Sequence, residues 1–168
     1  MKLIAAVDKN WAIGYKNQLL VQIPEDMHRF KNLTQNQIVF MGKNTLLSLP
    51  NASPLFGRTN IILTSDKSFH AGHAVIVHSI KEAQKELKNY PSDNIYIIGG
   101  SSIYRQFLSY ANEAFITYIQ YEYTADAWFP RLDSSTEWKL KQKSEKFDYC
   151  GIKYEFRQYV RNKNGSCL

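Results

Sequence analysis

The clearest candidates for a ligand-binding site are the two adjacent glycines in the run Gly99-Gly100-Ser101. An apolar segment precedes them and a helical one follows, so the pattern predicts a strand, a tight turn and a helix. Glycine lets a ligand approach the backbone closely, and the first turn of a helix offers free N–H groups and a positive dipole. These features suit a pyrophosphate group. A turn that binds nothing stays the alternative, since two glycines are a weaker signal than a full dinucleotide-binding fingerprint.

A second strand–glycine–helix pattern occurs at Met41-Gly42-Lys43-Asn44-Thr45. Its first helical turn carries Lys43, although the helix dipole disfavours a cation at that end. An anionic partner would remove this conflict, so Lys43 is a candidate anion-binding residue. The alternative is an exposed lysine that contributes only to solubility.

Asp26 is the candidate acid–base residue. It lies about one turn before Phe30 on a helix that starts at Pro24, next to Met27. If Phe30 faces the core or a pocket, Asp26 faces nearly the same way. A carboxylate among apolar side chains has a raised pKa and handles protons near neutral pH. The simpler alternative is that Glu25 and Asp26 are ordinary first-turn acids.

Metal and disulfide chemistry are not expected. The four histidines show no ligand spacing, and His70 and His73 lack a third ligand, so we expect no metal. The two cysteines, Cys150 and Cys167, do not form a disulfide scaffold, and no Cys-x-x-Cys pair occurs. The simplest expectation is a reduced, cytoplasmic protein.

Length and composition place the chain among ordinary globular domains. Its 168 residues are 44% hydrophobic and 21% charged, which excludes intrinsic disorder and a collagen-like fibre. No apolar run approaches the roughly 20 residues of a membrane span. The N-terminal apolar stretch ends at Asp8, unlike that of a signal peptide. The formal net charge of +6 is scattered along the chain, so a small anionic ligand explains it as well as a nucleic acid does.

The rest of the sequence predicts the elements that position these residues. Strands are predicted at residues 2–7, 37–41, 59–64, 74–77, 94–98, 114–121, 137–147 and 152–160. Helices are predicted from Pro24 onward and at residues 42–49, 80–87 and 101–108. This alternation predicts an α/β domain with a largely parallel sheet, and the last two strands predict an antiparallel hairpin at one edge. Residues 8–23 show no clean period, and a long irregular segment inside a domain is usually functional or disordered.

Together, these segments and their order resemble the dihydrofolate reductase family from residue 3 to residue 160. The segments that carry the resemblance are Leu3-Ile4-Ala5-Ala6-Val7, Ile13-Gly14, Ile23-Pro24-Glu25-Asp26-Met27-His28-Arg29-Phe30-Lys31, Met41-Gly42-Lys43-Asn44-Thr45, Gly57-Arg58-Thr59-Asn60-Ile61-Ile62-Leu63-Thr64, Ile97-Ile98-Gly99-Gly100-Ser101-Ser102-Ile103-Tyr104 and Ala125-Asp126-Ala127-Trp128-Phe129-Pro130. The resemblance implies one domain over residues 1–161 and a flexible tail over residues 162–168. Its implied fold is a twisted, mostly parallel eight-stranded sheet with a C-terminal antiparallel hairpin and about four flanking helices.

The activity that the resemblance implies is NADPH-dependent reduction of 7,8-dihydrofolate to 5,6,7,8-tetrahydrofolate. Hydride goes to C6 of the pterin and a proton to N5, in support of one-carbon and thymidylate metabolism. Asp26 matches the buried carboxylate that binds the pterin amino group and assists protonation, and Thr117 matches the threonine that hydrogen-bonds it. Tyr104 matches an aromatic residue near the nicotinamide and completes the expected catalytic set. Arg58 matches the arginine that pairs with the substrate's glutamate α-carboxylate. The other expected substrate contacts are Ile4, Ala5, Ala6, Met27, Phe30, Leu49, Leu55 and Ile98.

The resemblance also implies where NADPH binds. The pyrophosphate turn matches at Gly99, Gly100, Ser101 and Ser102. The positions at which the family binds the 2′-phosphate match Lys43, Thr64, Ser65 and His78. Further contacts are expected at Ala6, Ile13, Gly14, Gly42, Asn44, Thr45, Leu63, Ile98, Ile103 and Tyr104. Residues 8–23 become a mobile loop that closes over the nicotinamide and excludes water, with Asp126 in the loop that stabilises the closed form.

The sequence shows three departures from the family pattern, the first of which covers two neighbouring positions. Val21 stands where the family nearly always has tryptophan, and Leu20 where it often has proline, so an indole N–H that orders a water near the pterin is lost or rebuilt. Lys43 replaces the usual arginine, which turns a forked donor into a point charge and predicts a less sharp preference for NADPH over NADH. Leu46 replaces a further tryptophan, and we expect that change to be neutral. We hypothesise that Val21 weakens the binding of diaminopyrimidine inhibitors.

Three alternative functions stay open at this point. A reductase of the same fold that acts on a pyrimidine of riboflavin synthesis would share the glycine pair and NADPH, but would not normally pair an acid at Asp26 with Thr117. A ligand-binding pseudoenzyme would result if Val21 had disabled turnover. A non-catalytic nucleic-acid binder would need lysine and arginine clustered on one face. The favoured expectation is a monomer with a small-molecule substrate, without nucleic acid or membrane as a partner.

Overall fold

The computed structural model describes residues 1–162, which contain twelve strands and four α-helices. The strands are β1 (Lys2–Val7), β2 (Ala12–Tyr15), β3 (Gln18–Leu19), β4 (Ile38–Gly42), β5 (Thr59–Leu63), β6 (Val75–Val77), β7 (Ile95–Gly99), β8 (Glu113–Ile119), β9 (Ala127–Trp128), β10 (Trp138–Lys143), β11 (Phe147–Tyr149) and β12 (Ile152–Arg161). The helices are α1 (Pro24–Thr34), α2 (Lys43–Ser48), α3 (Ile80–Leu87) and α4 (Ser101–Phe107). The predicted tail lies, apart from Asn162, outside the described residues.

One large sheet organises the chain. Its strand order is β10-β12-β8-β1-β7-β4-β5-β6, and β11 pairs with β12 beside this path. The pairs from β8 through β1, β7, β4 and β5 to β6 are parallel. β12 runs antiparallel to β8, β10 and β11. This architecture confirms the predicted α/β class, with a mostly parallel sheet of eight strands, antiparallel C-terminal strands and four helices.

The C-terminal strands differ in detail from the prediction. The expected strand at residues 137–147 is two strands, because the ladder is interrupted at Ser144. There the Ser144 side-chain oxygen accepts a hydrogen bond from the Phe156 N–H at 3.0 Å, while its own N–H bonds the Phe156 carbonyl at 2.8 Å. β11 then turns into β12 at Cys150 and Gly151, both of which have positive φ. Two successive positive φ values are what a tight hairpin with the native strand twist requires.

Residues 8–23 are not irregular throughout, in contrast to the prediction. β2 and β3 form a hairpin, and β9 pairs with the other side of β2. The hairpin turns at Lys16 and Asn17, which both have positive φ. Asp126 links it to β9, because its N–H donates to the Gly14 carbonyl at 3.1 Å and its carboxylate accepts the Lys16 N–H at 2.9 Å. These strands have only two to four residues, which is too few for alternation to show in the sequence.

The apolar strands explain where the core lies. β4 reads Ile-Val-Phe-Met-Gly and is buried on both faces, as central parallel strands usually are. On one face Phe40 packs edge-on against Phe107 of α4, with ring centroids 4.7 Å apart. On the other face Val39 and Met41 form a cluster with Leu46 of α2. No helix within residues 1–162 is long and apolar enough to cross a membrane.

Candidate active site

The carboxyl ends of the parallel strands lie along one edge of the sheet, and most of the predicted site residues gather there. β4 and β7 are neighbours, and Met41 pairs with Gly99, so the two strand–glycine–helix turns lie side by side. On the other side of β1, Thr117 of β8 pairs with Ala6. In open α/β sheets this edge is where ligands bind.

An acid and a threonine from distant parts of the chain meet at this edge. The Thr117 hydroxyl donates a hydrogen bond of 2.5 Å to Oδ1 of Asp26. Asp26 belongs to the first turn of α1, which starts with Pro24, and it is half-buried. Its neighbour Glu25 is exposed. The structure therefore distinguishes two acids that local sequence reasoning treats alike.

The surroundings of Asp26 shift its ionisation. Burial raises the pKa of Asp26 above its ordinary value, while the Thr117 hydrogen bond and the positive charge of Arg29 oppose this rise. Because burial is the largest effect, the carboxyl holds a proton more readily than an exposed aspartate does. Asp26 is therefore suited to general acid–base chemistry near neutral pH.

Arg29 is a charged residue that sequence reasoning did not select. It follows Asp26 by three residues on α1, so the two side chains lie on the same side of the helix. Its guanidinium lies over the ring of Phe156 at 4.5 Å and near the ring of Phe115 at 5.7 Å. Phe156 is paired with Thr117 in the sheet, which places Arg29 beside the Asp26–Thr117 contact. In the sequence, an arginine at this spacing from an acid looks like an ordinary surface pair.

Tyr104 lies at the same edge and is buried. Its hydroxyl donates a hydrogen bond of 2.7 Å to the carbonyl of Ile4. Burial and, secondarily, the charge of Asp26 raise the pKa of Tyr104 well above its ordinary value, so the phenol stays neutral. Its ring packs on Phe129, which in turn packs on Trp11, at centroid distances of 4.5 and 6.0 Å. Since its single proton is held by Ile4, the geometry gives Tyr104 a positioning role rather than that of a proton donor.

The glycine pair is shaped by its contact with α2. The peptide between Gly99 and Gly100 is cis, and Gly99 has a φ of +132°. A Cβ at Gly99 would lie 3.1 Å from Oγ1 of Thr45 and 3.5 Å from the Tyr104 hydroxyl, and one at Gly100 would lie 3.4 Å from the same Thr45 oxygen. Thr45 packs so closely against the turn that a side chain at either glycine would crowd its hydroxyl.

Ser101 provides the observation that bears on a cofactor. Its Oγ is buried and has no hydrogen-bond partner in the part of the chain that the structure describes. Buried hydroxyls normally have a partner, and a phosphate oxygen seated on the glycine pair would supply one. The next hydroxyl, that of Ser102, already accepts a bond of 2.8 Å from Gln106. The residues present therefore fit the predicted pyrophosphate contact.

The residues expected at the 2′-phosphate meet at the ends of β4, β5 and β6. Nδ1 of His78 lies 3.0 Å from the Thr64 carbonyl, and the Asp66 N–H donates to the Thr64 hydroxyl at 3.1 Å. Lys43 joins the group through Asp66, with Nζ 2.8 Å from Oδ2. Hydrogen bonds from Lys43 and Ser68 hold the pKa of Asp66 well below its usual range. Sequence reasoning missed Asp66, although it directly follows two of the expected residues.

The remaining expected cofactor residues have different surroundings. Gly42 packs against Ile103 of α4. A Cβ at Gly42 would lie 3.4 Å from Cγ1 of Ile103. Gly14, next to Ile13 on β2, has a structural reason of its own. A Cβ at Gly14 would lie 2.9 Å from the Gln18 carbonyl oxygen across the hairpin. Asn44 begins α2 beside Lys43, and Leu63 and Ser65 flank Thr64 at the end of β5.

The expected substrate residues form two groups. Arg58 is held at the end of α1, where it donates to the Phe56 carbonyl at 2.6 Å, the Lys31 carbonyl at 3.2 Å and the Thr34 hydroxyl at 3.3 and 3.2 Å. The second group is apolar. In it, Leu49, Leu55 and Ile98 pack on the cluster around Met41. Its other two members lie on α1, where Phe30 is half-buried and Met27 is exposed. Ile4, Ala5 and Ala6 lie on β1, between β7 with its glycine turn and β8 with Thr117.

Two more residues that sequence reasoning missed support this edge. Asp8 is buried at the end of β1 and accepts hydrogen bonds from the N–H groups of Asn10, Ala12 and Tyr123 at 2.8, 2.9 and 3.0 Å. It thereby ties β1 to both loops beside the site. Tyr123 and Val21 pack on one apolar cluster, and the Tyr123 hydroxyl is buried without a partner among residues 1–162. Over the same range, no group of three or more His, Cys, Asp or Glu side chains is placed to hold a metal ion.

Comparisons with known proteins agree with this geometry. The family model for dihydrofolate reductase matches residues 1–161. The chain is 34% identical to the dihydrofolate reductase of Staphylococcus haemolyticus over 162 residues, which cover 92% of this chain and 95% of that protein. It is 33% identical to the dihydrofolate reductase of Bacillus subtilis (strain 168) over 171 residues, which cover 99% of this chain and 96% of that protein. Among solved structures, the dihydrofolate reductase from Enterococcus faecalis complexed with NADP(H) superposes with a TM-score of 0.85 at 24% identity, with 96% of each chain covered.

Proposed function

Because this chain belongs to the dihydrofolate reductase family, we infer that it is an NADPH-dependent oxidoreductase that reduces 7,8-dihydrofolate to 5,6,7,8-tetrahydrofolate. The observation that carries this inference is the Asp26–Thr117 contact at the edge that also holds the Gly99-Gly100 turn. A domain that only bound a nucleotide would need the glycine turn. It would have no use for a half-buried acid with a raised pKa on the far side of β1.

NADPH, when bound, supplies the hydride that reduces C6 of the pterin. Gly99, Gly100 and Ser101 would hold its pyrophosphate, since the Ser101 hydroxyl has no other partner among the described residues. Thr45 supports the glycine turn from α2. Lys43 would serve the ribose 2′-phosphate as a point charge.

Asp26 would bind the pterin and assist protonation at N5. The Thr117 hydroxyl fixes Oδ1, which leaves Oδ2 for the substrate amino group. The raised pKa of Asp26 keeps more of the carboxyl protonated near neutral pH than an exposed aspartate would be. Tyr104 would keep the Ile4 carbonyl, in the middle of β1, in place.

We also propose the setting in which this enzyme works. It is a monomer with one catalytic domain over residues 1–161, acts in the cytoplasm and binds no nucleic acid. The match of the family model over residues 1–161 and the end of β12 at Arg161 support the domain limit. The presence of only two cysteines supports a reducing compartment. Light scattering after size-exclusion chromatography should give the mass of one chain, and a dimer mass would contradict the monomer.

The test of the function is NADPH oxidation in the presence of dihydrofolate, followed by absorbance. We expect dihydrofolate-dependent oxidation by the natural chain. Asp26→Asn should keep the fold and NADPH binding while turnover near neutral pH falls by roughly 10²-fold or more. The matched control is Asp148→Asn, which neutralises an exposed carboxylate paired with Lys153 on the β11–β12 hairpin.

Three results would contradict the proposal in different ways. Unchanged turnover in Asp26→Asn would remove Asp26 from the mechanism. A folded, NADPH-binding protein that oxidises NADPH only with a pyrimidine of riboflavin synthesis would replace the substrate. No oxidation with either compound would indicate a ligand-binding protein without turnover.

A further inference from the structure

An ion pair lies at the ends of β4 and β5, where the proposed function expects a phosphate. Nζ of Lys43 is 2.8 Å from Oδ2 of Asp66. The same ammonium lies over the ring of Phe69, 4.6 Å from its centroid. The other carboxylate oxygen, Oδ1, accepts hydrogen bonds from the backbone and the hydroxyl of Ser68 at 3.0 and 2.7 Å. Lys43 is thus held from two sides, and Asp66 is fixed by its own loop.

The chemistry of Asp66 opposes that of a bound phosphate. Lys43 is the cation expected at the nucleotide 2′-phosphate, and Asp66 directly follows Thr64 and Ser65, which are expected at the same group. An ionised carboxylate repels a phosphate dianion and occupies the lysine that would bind it. In Rossmann folds, which are also α/β, a carboxylate at the ribose end accepts a hydrogen bond from the free 2′-hydroxyl of NAD.

Lys43 serves two anions at once less well than an arginine would. Its ammonium is a compact point charge, whereas a guanidinium presents two donor edges that can serve a carboxylate and a phosphate together. Asp66 is ionised at neutral pH, as an ordinary aspartate is, and the hydrogen bonds from Lys43 and Ser68 hold its pKa well below the usual range. A 2′-phosphate therefore competes with Asp66 for the charge of Lys43, whereas a nucleotide with a free 2′-hydroxyl leaves the ion pair intact.

We propose that Asp66 is a specificity-determining residue that limits the selection of NADPH over NADH by competing with the 2′-phosphate for Lys43. The proposal rests on the proposed function, since it concerns the nucleotide of that reaction. It implies that the chain binds NADH with an affinity closer to that for NADPH than the lysine alone would produce. Removing the carboxylate charge should widen the difference between the affinities for NADPH and NADH.

The test compares nucleotide affinities of the natural chain, Asp66→Asn and the control Asp148→Asn. The control removes an ion pair of similar length, 2.9 Å, on the exposed β11–β12 hairpin, and β12 is separated from β4 and β5 by β8, β1 and β7 in the sheet. Calorimetry with adenosine 2′,5′-bisphosphate and with 5′-AMP isolates the 2′-phosphate, and fluorescence titration gives the dissociation constants of NADPH and NADH. Asp66→Asn should bind the bisphosphate and NADPH about tenfold more tightly, with 5′-AMP and NADH unchanged or weaker. Asp148→Asn should leave all four unchanged.

A second comparison tests the competition itself. Lys43→Met should reduce NADPH affinity more in the Asp66→Asn background than in the natural chain, because only there is the lysine unoccupied. Equal losses in both backgrounds would overturn the competition. An NADPH-to-NADH affinity ratio within about twofold of the natural value in both Asp66→Asn and Asp66→Ser would overturn the proposal as a whole.

Failure of the proposed function would look different. It would appear as absent dihydrofolate-dependent oxidation with either nucleotide, while the bisphosphate titrations would still report on Asp66. If the natural chain instead turns over and Asp66→Asn leaves the affinity ratio unchanged, only the role of Asp66 is wrong.

Discussion

Removing the Thr117 hydroxyl isolates one of the effects on the ionisation of Asp26, the hydrogen bond that opposes the effect of burial. In Thr117→Val the 2.5 Å bond to Oδ1 is lost, while the side chain keeps its branched shape. Thr117 is buried between Ala6 of β1 and Phe156 of β12 in the sheet. We therefore expect the strand pairing to persist and the change to act mainly on the carboxyl.

The size of the effect follows from the kind of bond. A hydrogen bond to an ionised group contributes about 1.5–3 kcal/mol, and one pKa unit corresponds to about 1.36 kcal/mol. The Thr117 bond favours the ionised carboxylate, so its loss should raise the pKa of Asp26 further, by about one to two units. Burial already acts in this direction, and the charge of Arg29 would still oppose it.

The assay is the pH dependence of hydride transfer in a single turnover with saturating NADPH and dihydrofolate. If the protonated carboxyl assists protonation at N5, the rate falls as pH rises through the pKa of Asp26. In Thr117→Val this fall should move to higher pH by about one to two units. Thr136→Val, at an exposed threonine before β10, is the matched control and should leave the profile in place. A profile within a few tenths of a unit of the natural one, in a folded variant, would refute the reasoning.

Three further changes test other parts of the site. Gly99→Ala should weaken NADPH binding by roughly 10- to 100-fold in a fluorescence titration, because its Cβ would lie 3.1 Å from Oγ1 of Thr45 at a φ of +132°. Adding Thr45→Ala should restore the part of the loss that the contact causes, and no recovery would assign the loss to the φ of +132° instead. Arg58→Ala should raise KM for dihydrofolate by about tenfold or more with little change in kcat, since it removes binding far from the reacting atoms; an unchanged KM would move the carboxylate site elsewhere. Val21→Trp should tighten inhibition by a diaminopyrimidine about tenfold or more, and nanomolar inhibition of the natural chain would contradict a weakening role for Val21.

Much of the fold could be predicted because the parallel strands are nearly continuous apolar runs with clear ends. β4 follows Gln37 and ends at Gly42, and β7 ends at Gly99, the first glycine of the pair. The β2–β3 hairpin could not be predicted, since strands of two and four residues show no period. The break at Ser144 was equally hidden, because it depends on a serine side chain that hydrogen-bonds the neighbouring strand.

The site divides in the same way between local and long-range features. The turns at Gly42 and Gly99 could be recognised, because a glycine between a strand and a helix is a local signal. The contacts of Asp66 with Lys43 and of Arg29 with Phe156 join elements far apart in the chain. They depend on side-chain direction, which residue spacing alone does not specify.

The surroundings of Asp26 show a conflict between folding and chemistry. Because its pKa is raised in the folded state, the folded chain binds this proton more tightly than the unfolded chain does. The resulting stabilisation is present in full below the unfolded pKa and is lost as pH rises through the folded pKa, so at neutral pH the ionised carboxylate opposes folding. Thr117 and Arg29 reduce this cost without removing it, because burial stays the largest effect. A residue kept where stability disfavours it is what a catalytic role requires, and this favours Asp26 over its exposed neighbour Glu25 as the acid that acts on the substrate.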